Sequence, residues 1–285
     1  MLPNHRLHAD VVCAAPVNRT VRFPMTDFAI SIFKLTNLRG YTVPPLNVTY
    51  IERDTKNEWR MTCGGSRAYL VRFGNSIEDC MVTQAADSHF MIRRIISSLL
   101  IGGAGLFQAE AMGRMLFKGV EGSVTWDSQL DRPDPLCKGQ SDEIIDRVYD
   151  WYSVICQHDP LRRAVDDAHM ALTYPYEALV FVYRGLEWLK MSQKLDWKDL
   201  ANDIGVPMKH LSEFKKVANY QTGVRHATQK GNKMRATPEN YGTWVCALLD
   251  AINAARCRSD QNFQRMSPGQ VSNAVMRAMP VVAYP

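Results

Sequence analysis

In the first 130 residues the apolar positions fall in short runs rich in β-branched and aromatic side chains. FAISIF (Phe28–Phe33), NVTYI (Asn47–Ile51), EWRMTC (Glu58–Cys63) and AYLVRF (Ala68–Phe73) predict strands. Val43-Pro44-Pro45, Cys63-Gly64-Gly65 and Phe73-Gly74-Asn75 separate them with turn chemistry. SVTW, Ser123–Trp126, predicts one more strand. A helical stretch, HFMIRRIISSLL, interrupts the strands, with Ser88 as its expected N-cap and Gly102-Gly103 as its stop. The expectation is a mainly antiparallel sheet with at least one packed helix.

DSQLDRPDPLCKGQS, Asp127–Ser141, carries two prolines and a glycine between patterned segments and marks the expected boundary. Beyond it the apolar positions recur at helical spacing. Ser141 is an N-cap candidate with Asp142 and Glu143 in the first turn, where carboxylates favour the helix dipole. Ile144, Ile145, Val148, Tyr152 and Ile155 form one stripe. Asp159-Pro160 opens a second helix, because proline is tolerated at the first position. Pro175 opens a third, YEALVFVYRGLEWLKMSQ, apolar on nearly all sides and so expected at the centre. WKDLANDI, VPMKHLSEFKKVAN (ending at Asn219) and PENYGTWVCALLDAINAARC complete the set, with one weak helix in the tail from Arg258. The fold class expected is α+β: a mainly β domain over 1–135, a helical domain over 136–260 and a tail over 261–285.

Composition narrows the class without changing this picture. The chain is 46% hydrophobic and 22% charged, as in a globular protein. Its seven cysteines show no CxxC spacing, so no zinc knuckle or disulfide framework is written in it. The opening MLPNHRLHADVVCAAP holds only the run VVCAA, too short for a secretory leader. The longest apolar stretch, Ile95–Phe107, is shorter than the roughly 20 residues that span a bilayer. A cytoplasmic protein is expected, with no membrane contact, no metal and no cofactor. GxSxG and HExxH are absent, and Gly102-Gly103-Ala104-Gly105 lacks the Lys-Ser/Thr of a phosphate loop.

Charge placement carries more. The net charge is +5, yet Lys209–Arg235 alone holds seven basic residues against one acid, Glu213. Such a cluster attracts phosphates. Internal neutralisation competes with that reading, since Asp142–Asp203 holds twelve acids against seven bases.

DLANDIGVPMKHLSEF, Asp199–Phe214, fits the helix-turn-helix spacing. Ala201 would face the second helix, Gly205 would supply the left-handed turn, and Leu211 and Phe214 would fill the core side. Met208, Lys209, His210 and Ser212 would then be offered to a major groove. A plain αα-hairpin produces much of the same pattern, so both readings stand.

A buried helix carrying YRGLEWL is followed by a short helix, a helix ending VAN, Arg225-His226 in a loop and a final helix. This order resembles HEPN-like helical domains. The resemblance implies an acid on an inner helix, matched by Glu187, and an arginine, matched by Arg225. The histidine expected four to six residues later is missing, since 229–232 reads Gln-Lys-Gly-Asn and His226 follows the arginine directly. The whole chain is similar to the MauJ proteins, accessory proteins of methylamine utilisation, through its length, its β-rich front half and YRGLEWLK followed by VANYQTGVRHA. That resemblance implies a bacterial-type cytoplasmic accessory role without an attached reaction.

Three functions follow as expectations. The first is binding, with Lys209, Lys215, Lys216, Arg225, His226, Lys230, Lys233 and Arg235 contacting RNA or another anion. The second is a metal-independent ribonuclease using Arg225, His226 and Glu187, in which histidine moves the proton and arginine stabilises the phosphorane. The third is a DNA-binding regulator. Against all three, Arg225 and His226 suit a helix end, where cations oppose the negative dipole and bond free carbonyls. The partners expected are RNA or another anion and, as a second option, a further copy of the chain.

Overall fold

A computed structural model of the chain describes residues 9–13, 20–37, 43–52, 58–74, 84–125, 142–224 and 238–259. It is a mixed α+β protein with an antiparallel sheet. The strands are β1 (Ala9–Cys13), β2 (Thr20–Asn37), β3 (Val43–Glu52), β4 (Glu58–Gly65), β5 (Arg67–Gly74) and β6 (Phe107–Thr125). The helices are α1 (Gln84–Ile101), α2 (Asp142–Gln157), α3 (Asp159–Thr173), α4 (Ala178–Ser192), α5 (Trp197–Asp203), α6 (Met208–Val224) and α7 (Pro238–Ser259), with a 3-10 turn at Pro175–Glu177 before α4.

The chain divides into two compact units, the first running to Gln157 and the second beginning at His158. The expected boundary, at 135/136, lies outside the described residues, and α2 belongs to the sheet unit. α2 packs on α1, and its buried residues Val148, Tyr152 and Cys156 enter the same core as the strands.

The sheet order is β1-β3-β4-β5-β2-β6, every pair antiparallel. β3, β4 and β5 follow one another as hairpin neighbours, while β2 returns to lie between β5 and β6. Successive side chains of a strand point to opposite faces. Phe33 and Leu35 of β2, Trp59, Met61 and Cys63 of β4, and Ala68 and Leu70 of β5 accordingly share one buried cluster. Met91, Ile92, Ile95, Ile96 and Leu99 of α1 fill it from the helix side, at the spacing of one helical face. A second cluster joins Phe28, Ile30 and Val71 with half-buried Ile32, Tyr69 and Phe73. Burial pushes the Cys63 thiol up to about 12, leaving it a protonated, unreactive core group.

Two expectations are corrected here. Ser88 does not cap its helix; α1 begins at Gln84 and Ser88 is buried within it. The strand expected at Ser123–Trp126 is the end of β6, which starts at Phe107. The run QAEAMGRML has weak strand propensity, and fifteen paired positions on β2 override it.

In the helical unit α4 packs against α3, α6 and α7. Gly185 permits the close approach: a Cβ there would stand 2.8 Å from Leu248 Cδ1 of α7 and 3.4 Å from Asp167 Cβ of α3. α6 runs to Val224, five residues past the end expected at Asn219. The expected linker Asp127–Ser141 and the tail from 260 lie outside the described residues.

Candidate nucleic-acid interface

α5 is started by a capping box. The Asp196 carboxylate accepts from the backbone N–H groups of Lys198 (2.7 Å) and Asp199 (2.8 Å), and the Asp199 carboxylate accepts from that of Asp196 (3.2 Å). These bonds, that from the Asp199 N–H first, hold the Asp196 carboxyl below its ordinary range. α5 closes at Asp203, and Val206 N–H donates to the Ala201 carbonyl at 3.0 Å. Gly205 has φ +66°, a conformation that costs a side-chain-bearing residue about 1 kcal/mol. The chain then turns through Val206-Pro207 into α6.

The two helices seal through Leu200, Ala201 and Ile204 on one side and Leu211, Phe214 and Ala218 on the other, all buried. The spacing of Leu211, Phe214 and Ala218 puts them on one face of α6. On the opposite side Lys209, Glu213 and Lys216 are exposed and Ser212 is half-buried. Met208 and His210, in the first turn, are also exposed.

Neighbouring helices hold this hairpin in place. Phe214 stacks on Trp244 of α7 with ring centroids 4.0 Å apart, an arrangement that adds about 0.5–1.5 kcal/mol to simple burial. Arg258, at the end of α7, donates to Asp203 Oδ2 and to Gln193 Oε1, each at 2.6 Å. Trp197 of α5 stacks on Tyr183 of α4 at 5.9 Å. Two ammonium groups approach the Trp197 ring, Lys215 Nζ at 4.2 Å and Lys190 Nζ at 5.4 Å. Each such contact is worth roughly 0.5–1 kcal/mol where water still reaches it.

The expected site residues divide into three groups. Lys209 and Lys216 stand seven residues apart on the exposed face of α6, so they point the same way. Lys215 and Glu187 instead join the aromatic cluster: Lys215 lies over Trp197, and Glu187 accepts a 3.2 Å hydrogen bond from the Tyr183 hydroxyl one turn away. Arg225, His226, Lys230, Lys233 and Arg235 lie outside the described residues. A ribonuclease centre of Arg225, His226 and Glu187 therefore has one described member, engaged with Tyr183.

Sequence reading passed over Tyr183, Lys190 and Trp197. Tyr183, Glu187 and Lys190 fall four and three residues apart, so a helical wheel places them on one face; that Tyr183 and Lys190 face Trp197 is tertiary information. It also passed over the pair between Arg184 and Asp167, in which the guanidinium donates to both carboxylate oxygens. Burial pushes the Asp167 carboxyl above its ordinary range in spite of Arg184, and bonding to Asp167 raises the Arg184 guanidinium. Cys156 and His169 are buried, and Cys156 Sγ accepts from Arg94 at 3.8 Å. No group of three or more His, Cys, Asp or Glu side chains able to hold a metal occurs among the described residues.

No family model, curated protein or solved structure matches this chain.

Proposed function

We propose that the helical unit binds nucleic acid, duplex DNA before RNA, by presenting the start of α6 to a groove. One observation carries the reading. The first turn of α6 exposes Met208, Lys209 and His210, while the opposite side closes on α5 across a left-handed glycine. A helix-turn-helix needs this division: a fixed second helix whose N-terminal side chains are free to meet base edges. Lys209 and Lys216 supply phosphate contacts on the same face, and the rigid support from α7 preserves their direction. The role is a binding one, as the MauJ-like resemblance implies, and the HEPN-like order of helices points to nucleic acid as well. A cytoplasmic location goes with this reading; among the described residues no helix is long and apolar enough to cross a membrane.

Anisotropy titrations of the full chain against mixed-sequence duplex DNA and single-stranded RNA test it. Lys209→Glu with Lys216→Glu is expected to weaken binding at least ~10-fold at about 50 mM salt and to flatten the salt dependence by about two phosphate contacts. Glu213, the acid on that face, predicts the opposite sign, and Glu213→Gln should tighten binding. Affinity for neither polymer at low salt, or affinity indifferent to all three substitutions, removes the reading. Preference for RNA with the same lysine dependence would keep the surface and replace the duplex by a single strand.

A further inference from the structure

The sheet unit has a cleft of about 340 Å³ between β6 and α1 that the binding role of α6 does not use. Its walls come from Ser31 and Phe33 of β2, Ser88 and His89 of α1, and Met112 and Arg114 of β6. The size lies at the small-molecule end of the usual range for ligand sites.

Three features make this cleft more than a packing gap. First, β6 bulges here: Ile32 pairs with Gly113 and Phe33 with Ala111, leaving Met112 as an extra residue. Bulges re-aim side chains and recur beside binding sites. Second, Gly113 stands next to the bulge, and a Cβ added to it would meet nothing within 4 Å. Packing does not require a glycine at that position. Third, Ser31 is 3% exposed, lines the cleft, and its hydroxyl has no partner among the described residues. Buried hydroxyls are nearly always bonded, so an unmet one that faces a cavity calls for a polar atom inside it.

The lining also selects the ligand. Ser31 and Arg114 are direct cross-strand partners, so a hydroxyl and a guanidinium enter from neighbouring positions on one side of the sheet. His89 stands edge-on to Phe33 at 5.4 Å. No carboxylate lines the cleft among the described residues, while Phe33, Ala111 and Met112 give it an apolar floor. One guanidinium beside a serine hydroxyl suits a planar monoanion; a phosphate dianion asks for more charge.

We propose that this cleft binds a small organic carboxylate, with the carboxylate bonded by Arg114 and the Ser31 hydroxyl and a short apolar body resting on Phe33 and Met112.

Calorimetric and NMR titrations of the full chain with butyrate, hexanoate and benzoate, their matching alcohols, and inorganic phosphate provide the test. At least one carboxylate should bind with Kd below ~1 mM, its alcohol at least ~10-fold more weakly. Arg114→Met, at an exposed position, should weaken the carboxylate ~10-fold or more without lowering thermal stability. Ser31→Ala should weaken binding, with Ser31→Thr retaining part of it. Water alone in the cleft, with no carboxylate bound at ~10 mM, overturns the proposal. So does equal affinity for acid and alcohol, tighter binding of phosphate, or wild-type affinity in both Arg114→Met and Ser31→Ala.

Discussion

The two units differ in where most of their paired charges lie. In the sheet unit, cations are drawn into the core and spread over soft or aromatic surfaces. Arg94 is buried with its guanidinium 4.4 Å from the Phe90 ring and its Nη1 bonded to the sulfurs of Met91 and Cys156, while buried Arg72 lies 5.1 Å from the Trp59 ring. In the helical unit Asp167 and Arg256 are buried, but the other charges of α3 lie toward its outer face and pair locally. Arg162 binds Asp159 at 2.5 Å and Asp166 at 2.9 Å, and Arg163 binds Asp159 at 2.8 Å. Desolvation of Asp159 works against its ionisation, but Arg162 and then Arg163 outweigh it and hold the carboxyl below its ordinary range. Geometry sets the partners of each. A helix brings residues three and four apart together, as Phe90, Met91 and Arg94 on α1 and Asp159, Arg162 and Arg163 on α3, whereas Arg72 on a strand takes its cover from Trp59 on the next strand.

The sharpest break of this comparison is Trp59→Ala. Trp59 is 1% exposed, fills the core beneath α1 and gives Arg72 its aromatic cover. The substitution leaves a large cavity and exposes a buried cation to it, so a loss of about 3–5 kcal/mol is expected in urea unfolding. A loss under ~1 kcal/mol would mean that the cations of the sheet unit do not depend on aromatic cover.

Legibility from sequence follows the same division. The stripe of α2, the proline opening α3, the whole course of α5 and the turn at Gly205 all rest on residues within one or two helical turns, and each could be read directly. Leu211 and Phe214 were placed on the core side and Lys209 on the exposed side from spacing alone. The length of β6 is not legible, because Ala111, Gly113 and Arg114 pair with β2 some eighty positions away and this stretch carries little strand preference of its own. The cleft at Ser31 was missed for that reason: a bulge exists only as a mismatch between two strands, and no single segment records it. Charge alone marks Lys215 as a phosphate contact, yet its direction is decided by Trp197, eighteen residues earlier and on another helix.

Arg184 tests the boundary between the two modes, since it is half-exposed but its partner Asp167 is buried and seventeen residues away. Arg184→Met removes the only described cation bonded to that carboxylate. A loss of about 2 kcal/mol near pH 7 is expected, less than for a fully buried pair because water reaches the arginine side. The sign with pH follows from burial. Burial already lifts the Asp167 carboxyl above the ordinary carboxylate range, and losing Arg184 raises it further. A group raised on folding contributes stability at pH below its unfolded value, and that contribution disappears as pH climbs through the folded value. The variant should therefore be nearly as stable as the wild type below about pH 4 and fall behind above it. A deficit that is the same across this range would assign the loss to the contact between Arg184 and the Phe181 ring.

The smallest effect is expected where the pairing is local and wet. Arg163 is 43% exposed, bonds Asp159 one turn back, and lies with its guanidinium 4.4 Å from the Trp188 ring of α4. Its ion pair alone is worth about 0.3–0.5 kcal/mol, and Asp159 keeps Arg162 when it is lost. Arg163→Lys retains the charge but gives up the planar stacking, while Arg163→Gln gives up both the charge and most of the ring contact. Charge-pair control predicts that Lys restores the stability lost in Gln and that added salt erases the difference. Ring control predicts that the two variants fall together, by about 0.5–1 kcal/mol, with little salt dependence. The second outcome would show that the helical unit also fixes a cation on an aromatic surface, as Trp197 does with Lys215, and that its arrangement of charge differs from the sheet unit's in exposure more than in kind.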